Sequence, residues 1–90
     1  MAIDWLSFTN EDDVWQVVGE QLPVRSSLDR IRSFADAEHL ECSEPTDDII
    51  YCSAPARSEM RHVRQKWLIQ FHLRDGVLER IDVEKGFIGP

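Results

Sequence analysis

The chain contains two cysteines, Cys42 and Cys52, on either side of the acidic turn sequence SEPTDD. If residues 40–43 and 49–54 pair as antiparallel strands around that turn, Cys42 faces Cys52 at a non-hydrogen-bonded position, where the two β-carbons come within reach of a disulfide. A disulfide would indicate an oxidising compartment. Two free cysteines that face each other would instead be small buried apolar residues. The sequence leaves both alternatives open.

The histidines and acids give weaker signals for chemistry. His39, Cys42, Cys52 and His72 are metal-ligand types, but the chain has no paired C-x-x-C or H-x-x-x-H spacing. A cysteine nucleophile beside His39 or His72 is conceivable, yet no G-x-S-x-G sequence, P-loop or glycine-rich phosphate cradle is present. The acidic runs EDD and TDD fall in a predicted helix start and a turn, where acids are expected for structural reasons. We therefore expect no enzyme activity, no metal and no cofactor.

Size and charge limit the class of protein. Ninety residues with 42% hydrophobic content and three tryptophans predict a single folded domain over residues 1–90. No run approaches the ~18 apolar residues of a membrane span, and the N-terminal sequence lacks the pattern of a signal peptide. Residues 1–50 carry twelve acids against three arginines (formal charge −9), whereas residues 51–90 carry five acids against seven Lys/Arg (+2). Because the acidic half would repel a phosphate backbone, we expect no nucleic-acid partner.

The hydrophobic pattern predicts two helices at the start of the chain. The first, about 10–22, has Asn10 or the preceding threonine as its cap, acids in its first turn and Pro23 after its end. The second, about 27–38, is expected to be capped by Ser26. Its apolar stripe covers only part of the helix surface. This second helix is therefore expected to lie on the face of a sheet.

From residue 40 onward the apolar period becomes that of strands. We predict strands at about 40–43, 49–54, 66–74 and 77–85, joined by connections too short for parallel crossovers. The order predicts an α+β fold, with two N-terminal helices packed on one face of a three- to four-stranded antiparallel β-meander. The expected core consists of Val14, Val18, Leu22, Leu28, Ile31, Phe34, Ile50, Trp67, Ile69, Phe71, Ile81 and Val83.

The last two strands are predicted to form a β-hairpin with the sequence WLIQFHLRDGVLERIDV. A three-residue loop at 74–76 would place Leu73 opposite Val77. Glu79 would then point toward the core. We therefore expect a β-bulge that turns Glu79 outward and Leu78 inward.

The outer face of the predicted sheet is the candidate binding surface. Unless they are isolated surface residues, Tyr51 and Leu68 are anchors for a protein partner on this face, with Gln70 and His72 beside them. The run RSEMRHVRQK is either a solvated loop or a contact for an acidic surface, made by Arg57, Arg61 and Arg64. Three aromatic residues near the N-terminus are expected to complete the core: Trp5, Phe8 and Trp15.

Together these elements resemble the small SmpA/OmlA (BamE-type) domain of bacterial outer-membrane assembly lipoproteins, which is related by fold to β-lactamase inhibitory protein. The resemblance includes a threonine-led first helix, a serine-capped second helix and a closing hairpin that contains, in this chain, Phe71, Gly76, Leu78, Ile81 and Val83. It implies a non-enzymatic protein-binding module that often works outside the cytoplasm.

Two functions follow as expectations. The resemblance implies a bacterial envelope or periplasmic scaffold-type domain that binds another protein. The charge of the first half favours an acidic inhibitor or immunity protein that neutralises a basic toxin or enzyme. The first is expected in the periplasm or otherwise exported, and the second in the cytoplasm. The state of Cys42 and Cys52 bears on the choice, because a disulfide favours export.

Overall fold

The computed structural model of the protein describes residues 3–56 and 64–88. A short 3₁₀ helix, Trp5–Ser7, precedes two α-helices, α1 (Glu11–Gln21) and α2 (Leu28–Ala37). The strands that follow are β1 (Glu41–Cys42), β2 (Ile49–Ala56), β3 (Arg64–Arg74) and β4 (Val77–Ile88). They form one antiparallel sheet in the order β1-β2-β3-β4. This arrangement of two helices followed by a four-stranded antiparallel sheet confirms the predicted α+β fold class.

Both helices begin at a side-chain cap. The side-chain oxygen of Asn10 accepts a hydrogen bond from the backbone N–H three residues further on, at 2.9 Å. In α2 the hydroxyl of Ser27 accepts the equivalent bond at 3.2 Å. The prediction of Ser26 as this cap is wrong by one residue, because Ser26 is buried and its hydroxyl donates to the carbonyl oxygen of Pro23.

The core lies between the helices and the inner face of the sheet. Trp67, Ile69 and Phe71 alternate along β3 and are completely buried. They form one cluster with residues of both helices and of the neighbouring strands. Of the predicted core set, Leu28, Phe34 and Val83 are only half-buried and pack against this cluster, and the other members are buried. The buried cluster also contains residues outside that set, namely Trp5, Cys52, Ala54, Ala56 and Leu78.

The 3₁₀ helix supplies aromatic residues to one side of this core. Trp5 is 6% exposed, and its ring meets those of Phe8 and Phe34 edge-on, with centroids 6.0 and 6.5 Å apart. The backbone carbonyl of Trp5 accepts a hydrogen bond from the indole N–H of Trp67 at 3.1 Å. The expectation that Trp5 and Phe8 pack with the core is therefore correct.

Trp15 lies outside the core, contrary to the prediction. Its side chain is 54% exposed, whereas Val14 and Val18 of the same helix are completely buried. Successive residues of a helix differ by about 100° in direction, so Trp15 points to one side of the inward face. There its indole N–H donates to the backbone carbonyl of Ile81 on β4 at 2.8 Å. Trp15 therefore covers the edge of the sheet.

The closing hairpin turns through two residues rather than the predicted three. Asp75 and Gly76 have φ values of 54° and 79°, which suit the tight turn that joins antiparallel strands through two left-handed residues. Leu73 consequently faces Leu78 and not the predicted Val77, so the predicted register is wrong. The pairing then shifts by one residue, which leaves Glu79 exposed and Leu78 buried at 1% exposure. The expected bulge is present.

Candidate protein-binding surface

A disulfide fastens the short edge strand β1 to β2. Cys42 and Cys52 are direct partners in the β1–β2 register, and their sulfurs are bonded, with the Cα atoms 4.0 Å apart. The backbone N–H of Ser43 donates to the carbonyl of Tyr51 at 2.8 Å, so the cysteines occupy the neighbouring non-hydrogen-bonded position. This confirms the disulfide and its register, and it rules out the alternative of two free thiols.

The acidic turn between β1 and β2 has a structural role. Thr46 and Ile49 exchange two backbone hydrogen bonds of 3.0 Å across Asp47 and Asp48, both of which have positive φ values, 52° and 61°. Aspartate is among the residues that tolerate this left-handed conformation best. These two acids therefore shape the loop that the disulfide closes.

The outer face of the sheet, as the term is used below, comprises the side chains that alternate with the buried ones on the three long strands. Their partners across the sheet follow directly from the observed register. The members are Ile49, Tyr51, Ser53 and Pro55 on β2, Lys66, Leu68, Gln70 and His72 on β3, and Arg80, Asp82, Glu84 and Gly86 on β4.

Two large apolar side chains lie exposed near the centre of the outer face. Tyr51 is 47% exposed and Leu68 is 38% exposed. Since Tyr51 pairs with Gln70 and Leu68 pairs with Ser53, the two are diagonal neighbours on adjacent strands. A β-carbon at Gly86 would come within 2.7 Å of Cδ1 of Leu68, so Leu68 leans over this glycine. The absence of a side chain at Gly86 thus makes room for the side chain of Leu68.

Charged side chains border this apolar centre on two sides. At one end the carboxylate of Asp82 lies 2.8 Å from Nε2 of His72 and 3.6 Å from Nε of Arg80. At the other end Nζ of Lys66 lies 3.4 Å from the carboxylate of Glu41. An apolar centre inside a polar border is the usual arrangement of a protein–protein interface. The outer face has that arrangement.

The structure brings together four of the predicted partner-binding residues, Tyr51, Leu68, Gln70 and His72, on the outer face. Arg64 is the first residue of β3, and its backbone pairs with Ile88. Arg57 and Arg61 lie outside the described residues. A role in binding stays a prediction for all seven.

The described part of the chain contains neither a side-chain cluster that could hold a metal ion nor a helix that could span a membrane. In residues 3–56 and 64–88 no three or more His, Cys, Asp or Glu side chains are grouped so as to hold a metal ion. The sulfurs of Cys42 and Cys52 are bonded to each other, and His72 contacts Asp82. The helices in these ranges are all too short or too polar to cross a membrane.

The fold and this surface define an α+β domain with a disulfide-bonded edge and an exposed apolar centre on its sheet. Comparison with protein-family models, with curated proteins and with solved structures found no match to the chain. Sequence reasoning had missed the contribution of Gly86. The predicted last strand stopped at residue 85, one residue before Gly86. A longer strand would have contained this glycine, and a glycine inside a strand often marks a close approach.

Proposed function

We propose that the chain is a non-enzymatic protein-binding module that uses the outer face of its sheet. The observation that carries this proposal is the pair of exposed neighbours Tyr51 and Leu68 on the two central strands. Burying a large apolar side chain contributes about 1.5–3 kcal/mol. Anchors of this kind, surrounded by polar groups that exclude water, provide most of the affinity at many interfaces.

The geometry of the two anchors suits a rigid docking surface. Both side chains project from paired strands in the middle of the sheet, where the backbone is held by hydrogen bonds on two sides. The side chain of Leu68 packs over Gly86 on the neighbouring strand. A surface that is already ordered loses little conformational entropy when a partner binds.

The disulfide supports an exported location for this module. Structural disulfides persist in the periplasm and in other oxidising compartments and are rare in the cytosol. Together with the resemblance to the SmpA/OmlA domain, the Cys42–Cys52 bond favours a bacterial envelope or periplasmic scaffold-type domain over a cytoplasmic protein.

A second candidate function is supported by the charge of α1. Glu11, Asp12 and Asp13 are exposed in its first turn, and the helix contains no lysine or arginine. Such a surface would attract a basic toxin or enzyme, as an acidic inhibitor or immunity protein does. Binding through α1 would weaken strongly with salt, whereas binding through Tyr51 and Leu68 would persist at ~0.5 M salt.

Site-specific photo-crosslinking in cells of the source organism tests the proposal. A benzoylphenylalanine at Tyr51 should give a discrete crosslinked adduct, and Leu68→Glu in the same chain should abolish it. The matched control carries the crosslinker at Leu6, which is 53% exposed but lies in the 3₁₀ helix, on the side of the inner face of the sheet. An adduct that forms equally from Leu6, or no adduct from Tyr51, would contradict binding through the outer face.

A further inference from the structure

An apolar groove, separate from the outer face, runs between α1 and the beginning of β4. Its volume is about 500 Å³. Apolar parts of Trp15, Val24, Leu78 and Ile81 line it, and Gly19 lies in the wall that α1 contributes. Trp15 and Val24 are 54% and 67% exposed, although both are large hydrophobic residues. The groove therefore presents apolar surface to solvent.

Trp15 forms a fixed wall of this groove. An exposed tryptophan on a helix is ordinarily free to change rotamer, but the indole N–H of Trp15 is bonded to the carbonyl of Ile81 at 2.8 Å. That carbonyl lies on an edge strand, where it lacks a partner from a further strand. The bond fixes the position of the ring beside the groove. A wall ordered in advance reduces the entropy that a ligand must overcome.

Gly19 has no structural reason to be glycine. Its φ is not positive, and a β-carbon built there would meet nothing within 4 Å. Glycine inside a helix costs about 1 kcal/mol relative to alanine. The fold could accommodate a side chain at this position, but that side chain would occupy the groove. The glycine thus keeps open a space that the fold itself does not use.

The charges around the groove define what would fit there. Glu79 and Arg80 at its border are each paired, Glu79 with Arg74 and Arg80 with Asp82, both at 3.6 Å. Glu20 also lines the groove, and no cation of the described residues lies within ion-pair distance of it. Upstream, α1 carries only acids among its charged residues. Among the residues that line the groove, the uncompensated charge is that of Glu20, which is negative.

We propose that this groove is a second docking site, which takes a segment of a protein partner with one apolar side chain flanked by lysine or arginine. The apolar side chain lies over Gly19 between Trp15 and Val24, and the basic side chains approach Glu20 and the acidic start of α1. Each copy of this chain has a formal charge of −7, so long-range repulsion between copies disfavours a second copy as the occupant. The site is separate from the outer face; it shares the acidic start of α1 with the second candidate function, but the groove argument does not rest on that function.

Titration of the isotope-labelled protein with a short peptide, followed by NMR, tests this proposal. The probe is acetyl-Gly-Arg-Leu-Arg-Gly-amide. It should give saturable shifts at the amides of Gly19 and Val24 and at the indole N–H of Trp15. Two matched peptides serve as controls, one with glutamate in place of both arginines and one with glycine in place of leucine. Each should bind at least tenfold more weakly.

Variants of the protein separate the groove from the rest of the surface. Gly19→Leu fills the groove at a position with free space and should abolish the shifts without lowering the melting temperature. Val24→Ser, at a residue too exposed to matter for folding, should weaken binding at least threefold. Glu20→Gln should weaken it about two- to fivefold, as expected for an exposed charge pair. Tyr51→Ala, on the outer face, should leave it unchanged.

Four results would overturn the proposal. Two concern the wild-type protein and the arginine peptide: an absence of saturable shifts, and shifts confined to the outer face. The other two are binding of the glutamate peptide as tight as that of the arginine peptide, and shifts that survive Gly19→Leu.

Discussion

The Cys42–Cys52 bond can be removed from its exposed end with little other damage to the structure. Cys42 is exposed on the edge strand, whereas Cys52 is only 4% exposed and belongs to the core. The two are ten residues apart, so by the loop-length relation the cross-link contributes about 3 kcal/mol at 25 °C. We therefore expect Cys42→Ser to lower the free energy of unfolding by about 3 kcal/mol. Domains typically have 5–15 kcal/mol in total, so this loss is large.

The matching change at the buried end should cost more. Cys52→Ser removes the same cross-link and also places a hydroxyl in the core beside Ile50 and Ile69, its neighbours in the sheet. A buried hydroxyl without a hydrogen-bond partner adds about 1–3 kcal/mol. The two substitutions are equal in chemistry and differ in burial. The difference between the free energies of unfolding of the two variants therefore measures the effect of the burial of Cys52.

Urea denaturation with and without a reductant measures both quantities. A reductant should lower the stability of the wild-type protein to that of Cys42→Ser and leave Cys42→Ser itself unchanged. A Cys42→Ser protein within 0.5 kcal/mol of wild type would refute the cross-link estimate. Equal stabilities of the two serine variants would refute the burial of Cys52.

Four further substitutions, one of them a control, test particular contacts of the fold by urea denaturation. Leu78→Ala should cost about 2–5 kcal/mol because the bulge buries Leu78, whereas Glu79→Ala, one residue on and exposed, should cost less than 0.5 kcal/mol; similar costs would contradict the bulge. Asn10→Ala should cost about 1 kcal/mol through loss of the cap of α1, and a neutral result would show that the cap contributes nothing. Gly19→Ala should raise stability by about 0.5–1 kcal/mol, and a loss would contradict the free space at that position.

The sheet could be predicted from the sequence because its signals are local. Alternation of apolar and polar residues along β3 separated the buried Trp67 and Phe71 from the exposed Leu68. The facing of Cys42 and Cys52 followed from the turn between them, since antiparallel pairing around a fixed turn determines every later pair. The same reasoning placed Tyr51 on the outer face.

Where the prediction failed, the deciding interaction depended on geometry that the sequence does not show directly. Both Asp75 and Gly76 adopt positive φ, and this selects a two-residue turn instead of the predicted three-residue loop at 74–76. Trp15 was expected in the core because tryptophan is large and apolar. Its position was decided by a free carbonyl at the sheet edge, which belongs to a residue 66 positions away. The groove beside Trp15 could not be predicted either, because the residues that line it come from distant parts of the chain.

The affinity of the partner captured through Tyr51 tests the central claim most directly. Isothermal titration calorimetry should compare the wild-type protein with Leu68→Ala and with Leu6→Ala, after equal melting temperatures have shown that each variant is folded. If Leu68 is an anchor of the outer face, Leu68→Ala should weaken binding at least about 30-fold, which corresponds to ~2 kcal/mol, and Leu6→Ala should leave it unchanged. Wild-type affinity in the Leu68→Ala protein would contradict binding through the outer face of the sheet.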